Sequence, residues 1–416
     1  MSEALKTGYK QTEVGVIPED WEVHAFTEVA TLERGKFSAR PRNDPKYYGG
    51  SIPFIQTGDV TNSNGDIASY SQTLNDAGLK VSKLFPRGTL FFTIAANIGD
   101  VGFTSFDTAC PDSVIAITPE RHIERRWLYH ELKSRKRSFE ALATQNAQLN
   151  INLEKLRPYS LPVPPLPEQR AIATALSDVD ALLAKLDQLI AKKQGLKQAA
   201  MQQLLTGQTR LPGFSGEWSM IGVSKNASLK ARIGWQALTT GEYLTSGTYY
   251  LVTGTDFVGG RVNWGTCHFV DKWRYSQDRN IQLQNGDVLV TKDGTIGKVG
   301  FVEGLTGPAT LNSGVFVIRP LQGSFFPAFF FYILRSRIFD DFISKITAGS
   351  TITHLYQKDF VGFEFRAPGL TEQTAIATIL TDMDAELASL ATRREKTHAL
   401  KQGMMQVLLT GRIRLV

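Results

Sequence analysis

The stretch "EQRAIATALSDVDALLAKL" (Glu168–Leu186) returns near the end of the chain as "EQTAIATILTDMDAELASL" (Glu372–Leu390). The match extends without a gap over Glu168–Leu211 and Glu372–Leu415, and 25 of the 44 aligned residues are identical. Agreement of this extent indicates an internal duplication, which must be recognised before any other feature of the sequence is interpreted.

Each copy is predicted to form a long helix, because apolar residues recur at alternating spacings of four and three, as in a coiled coil. Pro167 precedes the first copy, and a glycine near the end of each copy is a typical helix stop. About 38 residues would give a helix of roughly 57 Å. The predicted seam comprises Ile172, Leu176, Val179, Leu183, Leu186, Ile376, Leu380, Met383, Leu387 and Leu390. In the second copy Arg394 and Thr397 interrupt the seam, which is expected to resume at Leu400.

The simplest arrangement packs these two helices against each other, and the alternative is one ordinary amphipathic helix on each of two separate domains. A weaker repeat lies upstream: "GTLFFTIAANIGDVGF" (Gly88–Phe103) aligns with "GDVLVTKDGTIGKVGF" (Gly286–Phe301) and predicts a strand, a turn and a strand. We therefore predict an α+β chain with two strand-rich domains (1–166 and 212–367), each followed by a long helix (167–211 and 368–416).

Composition excludes several classes of protein. The longest apolar run, "FFPAFFFYIL" (Phe325–Leu334), is too short to span a membrane, and the first residues do not resemble a secretory signal. The two cysteines, Cys110 and Cys267, form neither a disulfide framework nor a metal motif, so we expect a reduced, cytoplasmic protein. The net charge of +6 is only a mild indication of a nucleic-acid partner.

Catalytic motifs are not found. "NDPKY" (Asn43–Tyr47) lacks the second proline of an adenine methyltransferase motif, and "GTIGKVG" (Gly294–Gly300) lacks the spacing of a phosphate-binding loop. Asp340 and Asp341 are adjacent carboxylates on a predicted amphipathic helix, where a solvated face explains them. We predict that the chain has no catalytic residue, no cofactor site and no metal site.

The order of globule, helix, globule and helix resembles the DNA-specificity subunit of type I restriction–modification systems. The resemblance covers essentially the full length and is carried by "LPVPPLPEQRAIA" (Leu161–Ala173) and "FRAPGLTEQTAIA" (Phe365–Ala377), each leading into a long helix. The leads "GVIPEDWEV" (Gly15–Val23) and "LPGFSGEWSM" (Leu211–Met220) open the two globules.

The resemblance implies that each globule is a target recognition domain that reads one half of a split, asymmetric DNA sequence. It also implies that the two helices form an antiparallel coiled coil, with internal two-fold pseudo-symmetry, that sets the spacing between the two recognition domains. The expected partners are double-stranded DNA, two methyltransferase subunits and two restriction–translocase subunits. S-adenosylmethionine, ATP and Mg²⁺ would be bound by those partner subunits.

Side chains suited to DNA contact occur in four places, because phosphate and base recognition need Arg, Lys, Asn, Gln, Ser, Thr or His. They are a basic loop, the turn of the strand–turn–strand repeat, a polar stretch after a helix, and a segment beside aromatic residues. Solvated loops, hairpin tips and helix caps are the alternative interpretations. In that order, the candidates are Arg34, Lys36, Arg40 and Arg42; Asn97, Lys292, Thr295 and Lys298; Gln145, Asn146, Gln148, Ser350, Thr351 and His354; and Arg274, Gln277 and Arg279.

Four alternatives remain at this point. The chain could serve a fused methyltransferase–nuclease system, or it could be an orphan specificity subunit that exchanges recognition domains by recombination. It could also be a coiled-coil adaptor that binds protein, or an enzyme without a recognisable motif.

Overall fold

The computed structural model describes residues 7–143, 150–233, 237–347 and 354–415. The chain divides into two compact units. The first comprises Met1–Asp187 with Thr392–Val416, and the second comprises Gln188–Ala391. Each unit therefore contains one strand-rich region and parts of both long helices.

The first unit contains thirteen strands and the helices α1 to α6 among its described residues, and α7 begins in it. The strands are β1 (Tyr9–Thr12), β2 (Gly15–Pro18), β3 (Glu22–Ala25), β4 (Ala30–Arg34), β5 (Tyr48–Phe54), β6 (Asp66–Ile67), β7 (Gln72–Leu74), β8 (Leu84–Phe85), β9 (Leu90–Thr93), β10 (Val101–Thr104), β11 (Thr108–Ala109), β12 (Val114–Pro119) and β13 (Ser160–Val163). The helices are α1 (Phe26–Val29), α2 (Thr57–Thr61), α3 (Asp76–Lys80), α4 (Arg125–Ser134), α5 (Lys136–Leu142), α6 (Leu153–Leu156) and α7 (Leu166–Leu204).

The second unit repeats this plan with fewer strands in its described part. The strands are β14 (Ser219–Gly222), β15 (Ala227–Ala231), β16 (Tyr249–Val252), β17 (Phe257–Val258), β18 (Arg261–Val262), β19 (His268–Val270), β20 (Val288–Thr291), β21 (Val299–Phe301), β22 (Ala309–Leu311), β23 (Val315–Pro320) and β24 (Glu364–Ala367). The helices are α8 (Val223–Asn226), α9 (Lys272–Ser276), α10 (Pro327–Leu334), α11 (Arg337–Thr347), α12 (Gln357–Phe360) and α13 (Leu370–Leu408), which ends in the first unit.

One sheet forms the centre of each unit. Its strand order is β4-β12-β9-β10-β6 in the first unit and β15-β23-β20-β21-β18-β17 in the second, and a smaller sheet accompanies it. The central strands β9 and β20 are buried on both faces. Leu90 and Phe92 of β9 face the core that includes the long helices, and Phe91 belongs to a second core. The two-core arrangement explains why these strands read as continuous apolar runs.

The two long helices pack in antiparallel orientation within each unit, which confirms the predicted fold class. In the first unit the start of α7 shares a core with the end of α13, through Ile172 and Leu176 on one side and Leu408 and Leu409 on the other. The second unit has an equivalent core of its own, to which the end of α7 and the start of α13 contribute. Each helix has 39 residues, or about 58 Å.

The predicted seam residues are not equally buried along the two helices. Ile172, Leu176, Leu186, Ile376 and Leu380 are buried, whereas the other members are half-buried: Val179, Leu183, Met383, Leu387 and Leu390. Leu400 was expected to continue the seam but is 59% exposed. Lys401 is buried in its place, because its amine pairs with Asp180 of α7.

The repeated "EQ" dipeptide joins each strand-rich region to the two helices. Gln169 accepts a hydrogen bond from the backbone N–H of Glu124, which caps α4, and donates to the carbonyl of Pro164 at 2.9 Å. Gln373 does the same with the N–H of Phe326, the cap of α10, and the carbonyl of Pro368. Each glutamine therefore fixes the first turn of one helix of the globule to the start of its own long helix.

The glutamate of each dipeptide is buried and meets an arginine from the end of the other repeat. Arg414 Nε donates to Glu168 Oε1 at 2.6 Å, and the indole N–H of Trp21 donates to Oε2 at 2.9 Å. In the second unit Arg210 donates two hydrogen bonds to Glu372, at 2.7 and 2.5 Å. Such paired, charge-assisted bonds compensate for burial of the carboxylate.

A second reciprocal pair lies further along the helices. Lys197 contacts Asp384 in the second unit, and Lys401 contacts Asp180 at 2.6 Å in the first. In both units the lysine comes from the second half of one helix and the aspartate from the first half of the other. A buried polar pair of this kind specifies which residues face each other along two helices.

The surroundings of these pairs differ between the two units. Tyr332 Oη is 2.8 Å from Asp384 Oδ2 and 3.2 Å from Thr381 Oγ1. The corresponding residues of the first unit are His130 and Ser177, and their buried polar side-chain atoms have no hydrogen-bond partner among the described residues. Burial, together with the nearby amine of Lys401, lowers the pKa of His130 from 6.5 to about 3.

We predict that His130 makes the chain less stable in acid. The unfolded chain binds a proton at this imidazole below about pH 6.5, whereas the folded chain keeps it neutral down to about pH 3. The free energy of unfolding should therefore fall by about 1.4 kcal/mol for each pH unit within this window, through this one residue. His130→Tyr, which copies Tyr332 of the second unit, should remove that contribution in urea unfolding measured from pH 7 to pH 5.

His398→Tyr is the matched control, because it makes the same substitution at a histidine that is exposed on α13. An unchanged pH dependence in His130→Tyr would contradict the burial of a neutral imidazole.

Candidate nucleic-acid interface

The described DNA-contact candidates of the first unit lie at a strand end or in loops at one edge of its central sheet. Strand β4 ends at Arg34 and β9 ends at Thr93, and both ends lie beside the start of β12, because Arg34 pairs with Ile115 and Thr93 pairs with Val114. The loops that leave this edge carry the predicted basic segment and the predicted turn. A rigid sheet that presents variable loops is a common basis for binding sites.

Two arginines of the basic segment converge on one aspartate. Arg34 Nε donates to the carbonyl of Asp112 at 2.7 Å, and Arg42 Nη2 is 2.6 Å from Asp112 Oδ2. Arg40 instead donates to the carbonyl of Ala39, and Lys36 is exposed. The structure thus brings Arg34 and Arg42 together at Asp112, whereas Arg40 bonds to the backbone of the preceding residue.

The turn that follows β9 and β20 has the same construction in both units. The hydroxyl of Thr93 donates to the carbonyl of Asn97 and accepts from the N–H of Asp100 at 3.0 Å. Thr291 makes the equivalent bonds with Thr295 and with the N–H of Lys298. Both threonines are buried and both were missed by the sequence interpretation, although their identity at matched positions of the two repeats was a visible signal.

The side chains that the shared turn presents differ between the units. Asn97 is exposed and its amide lies 3.3 Å from Thr61 Oγ1, whereas Thr295 is exposed at the matching position. Asp100 pairs with Lys136 in the first unit. Lys298, which replaces this aspartate in the second unit, donates to the carbonyl of Gly254 at 2.9 Å.

In the second unit the turn adjoins the segment that begins at residue 354. His354 pairs with Asp293, and the N–H of Leu355 donates to the carbonyl of Lys292 at 2.7 Å. The amine of Lys292 lies 5.6 Å from the centre of the Phe316 ring. Two candidate segments that are separate in the sequence are therefore neighbours in the fold.

Five candidates lie outside the described residues and have no position here: Gln145, Asn146, Gln148, Ser350 and Thr351.

The fourth candidate segment is held by buried and paired groups. Arg274 Nε donates to Glu242 Oε1 at 2.7 Å, and its guanidinium stacks 4.9 Å from the Trp273 ring. Gln277 Oε1 accepts from Arg274 and from Arg232, a buried arginine that the sequence interpretation missed. Arg279 follows Gln277 by two residues and is exposed.

Catalytic geometry is not evident in the described part of the chain. Among these residues there is no group of three or more His, Cys, Asp or Glu side chains that could hold a metal ion. Burial raises the pKa of the Cys110 thiol and raises that of Cys267 to about 12, so both thiols are protonated at neutral pH. No helix within the described ranges is long and apolar enough to cross a membrane.

A model of the type I restriction modification DNA specificity domain matches the chain twice, over residues 18–196 and 236–397. The chain belongs to this family. Each match covers most of one strand-rich region and most of the long helix that follows it. This agrees with the internal duplication.

Similar proteins support the same assignment over almost the full length. The chain is 22% identical to a putative type I restriction enzyme MjaX specificity subunit of Methanocaldococcus jannaschii, over 98% of this chain and 96% of that protein. It is 21% identical to the type I restriction enzyme EcoBI specificity subunit of Escherichia coli, over 71% of this chain and 66% of that one. The crystal structure of the type I S subunit from M. genitalium has the same fold, with a TM-score of 0.63, 17% identity and coverage of 93% and 96% of the two chains.

We predict that the buried threonine hydroxyl keeps each turn in shape. Thr291→Val has nearly the same volume but leaves the N–H of Lys298 and the carbonyl of Thr295 without their partner, at a cost of about 1–3 kcal/mol. Hydrogen–deuterium exchange of the peptide that contains residues 291–301 should accelerate by about tenfold or more, since each 1.4 kcal/mol corresponds to a factor of ten.

Thr93→Val is the matched substitution in the first unit and should accelerate exchange only in residues 93–104. Unchanged exchange in both variants would show that the hydroxyls do not hold the turns.

Proposed function

We propose that the chain is the non-catalytic subunit that recognises DNA for a type I restriction–modification complex, and that it reads a split, asymmetric sequence. The observation that carries this proposal is the shared turn. Both units build it with the same buried threonine on the same strand, yet they present different side chains: Asn97 and Thr295 at one position, Asp100 and Lys298 at another. A common scaffold with different side chains at matched positions suits two related domains that bind different half-sites.

The candidate residues fit two roles. Exposed cations such as Lys36, Arg42 and Arg279 suit phosphate contacts, which position the protein without reading the sequence. Asn97, Thr295, Gln277 and His354 are suited to base edges. The five candidates outside the described residues belong to the same proposal through the family resemblance alone. The division of the chain into recognition domains (1–166 and 212–367) and spacer helices (167–211 and 368–416) is part of this proposal.

We further propose that the catalytic activities reside in partner proteins. The relatives are named as specificity subunits of type I restriction enzymes, and a solved structure with a TM-score of 0.58 to this chain bears a title on complex assembly of the type I system. Two methyltransferase subunits and two restriction–translocase subunits would supply the sites for S-adenosylmethionine, ATP and Mg²⁺, in the cytoplasm. Leu189 and Leu196 are 38% and 49% exposed and lie seven residues apart on α7, where an apolar partner helix could pack.

We expect genome-wide mapping of N6-methyladenine to reveal a motif that depends on this chain. Deleting the gene in its host should abolish methylation at a motif with defined bases on both sides of a fixed gap. The motif should return when the wild-type gene is restored. Unchanged methylation, in a strain whose methyltransferase subunit co-purifies with the chain, would contradict the proposal.

Single substitutions should then affect one half of that motif. Lys292 lies at the sheet edge of the second unit, and Arg34 lies at the sheet edge of the first. The variants Lys292→Ala and Arg34→Ala therefore serve as controls for each other. Each variant should relax or weaken recognition in its own half-site by about tenfold, as expected for the loss of a contact worth about 1–3 kcal/mol. Relaxation of both halves by either variant, in a folded chain, would contradict two separate recognition domains.

A further inference from the structure

Gln277, directly after α9, has an amide group whose orientation is determined by two arginines. Arg232 Nη1 lies 3.3 Å from Gln277 Oε1, and Arg274 Nη1 lies 3.2 Å from the same atom. A guanidinium can only donate hydrogen bonds, so the amide atom that faces both arginines must be the oxygen.

Both arginines are themselves fixed. Arg232 is 1% exposed, and its guanidinium donates to the carbonyl of Leu311 at 2.9 Å and to Thr310 Oγ1 at 3.2 Å. Arg274 is held by Glu242. The acceptors that Arg232 meets among the described residues are all neutral, and burial of a charged group with such partners is costly.

The consequence is a side chain that can only donate. The two lone pairs of Gln277 Oε1 are occupied by the two arginines, while Nε2 keeps two N–H donors. Within the described ranges Nε2 has no hydrogen-bond partner, and it is not one of the buried unpaired side-chain atoms, so it is open to solvent. The amide is thus prepared in one orientation before any ligand binds.

The position of this cluster links it to the recognition edge of the second unit. Arg232 follows β15, and Leu311 ends β22, next to Asn312, whose amide donates to Tyr243 at 2.7 Å. Gly314, two residues further, accepts a hydrogen bond from the N–H of Lys292 in the shared turn. The fixed amide and the turn therefore belong to neighbouring loops of one edge.

We propose that Gln277 reads a guanine or thymine in the major groove by donating to its keto oxygen, with Arg232 and Arg274 as positioning residues; this rests on the proposed DNA-reading function. Guanine presents two acceptors, O6 and N7, and thymine presents one, O4. Adenine has one acceptor, N7, beside the amino donor N6, and cytosine presents only the amino donor N4. The usual paired contact of glutamine with adenine needs the amide oxygen as an acceptor, and here that oxygen is occupied. Lys272 and Arg279, which flank Gln277 in the sequence, are exposed cations and suit phosphate contacts better than the neutral Gln277 amide does. The amide is therefore assigned to a base.

Gln277→Glu tests this assignment. The carboxylate keeps both arginine contacts but loses the two N–H donors, so it should favour an amino group. The complete methyltransferase complex would be assayed on duplexes that carry each of the four bases at every position of the half-site read by the second unit. We expect one position to change from guanine or thymine to cytosine or adenine, with about a tenfold loss on the wild-type target.

Two further variants make the result decisive. Gln406→Glu makes the same chemical change at an exposed residue of α13 and should leave every base preference unchanged. Gln277→Met keeps the length of the side chain without donating or accepting, and should relax that one position without creating a new preference. Recognition of the other half-site reports whether each variant is folded.

The contrary outcomes are distinct. A uniform loss of methylation with an unchanged motif in Gln277→Glu would mean a phosphate contact and would overturn the assignment, as would no change at all. A wild-type complex that methylates without sequence preference would instead overturn the proposed function, and this inference with it.

Discussion

Each unit depends on a buried carboxylate whose partner comes from the other repeat. Glu168 is 0% exposed and Glu372 is 3% exposed, and a carboxylate removed from water to this degree is strongly destabilising unless it is paired. Arg414 and Arg210 provide the charge, and each arginine lies just beyond the end of a long helix. In both units the charged partner of the glutamate comes from the other repeat, so a complete unit requires the strand-rich region of one repeat and the helix end of the other.

The glutamine beside each glutamate extends this constraint into the globule. Because Gln169 and Gln373 bond to the caps of α4 and α10, they tie the position of the central sheet to the start of the long helix. The sheet is covered by apolar residues on both faces, which leaves its edges as places where polar loops can vary. Variation at such an edge costs little stability, because substitutions there disturb neither core.

The sequence alone predicted the features that are local or repeated. The duplication, the two long helices, their start beside Pro167 and the strand–turn–strand element all follow from short-range patterns, and the structure agrees with them. Heptad counting failed at Leu400, because it treats every lysine as exposed, and Lys401 is buried by a partner on a distant helix. The EQ motif was recognised as a signature, but its role was hidden, because Arg414 lies far from Glu168 in sequence.

The candidate site could be predicted only in part for the same reason. Residue type and the loop pattern selected Arg34, Asn97 and Lys292, which do lie at or beside the edge of a central sheet. Composition could not show that the loop binds its own arginines: Arg34 and Arg40 donate to backbone carbonyls, and Arg42 pairs with a carboxylate. Thr93, Thr291 and Arg232 act through neighbouring residues, so their chemistry alone does not mark them, and Arg232 becomes noticeable only when its burial is known.

The reciprocal ion pairs also have an evolutionary consequence. Each repeat contributes two acidic and two basic residues, and each of them pairs with a residue of the other repeat. The pairs are Glu168 with Arg414, Asp180 with Lys401, Lys197 with Asp384 and Arg210 with Glu372. A substitution at one member of such a pair therefore persists only when its partner in the other repeat can still form the contact. The exposed loops are under no such mutual restraint. This accounts for two helices that remain alike over most of their length within a chain whose globular regions have drifted far apart.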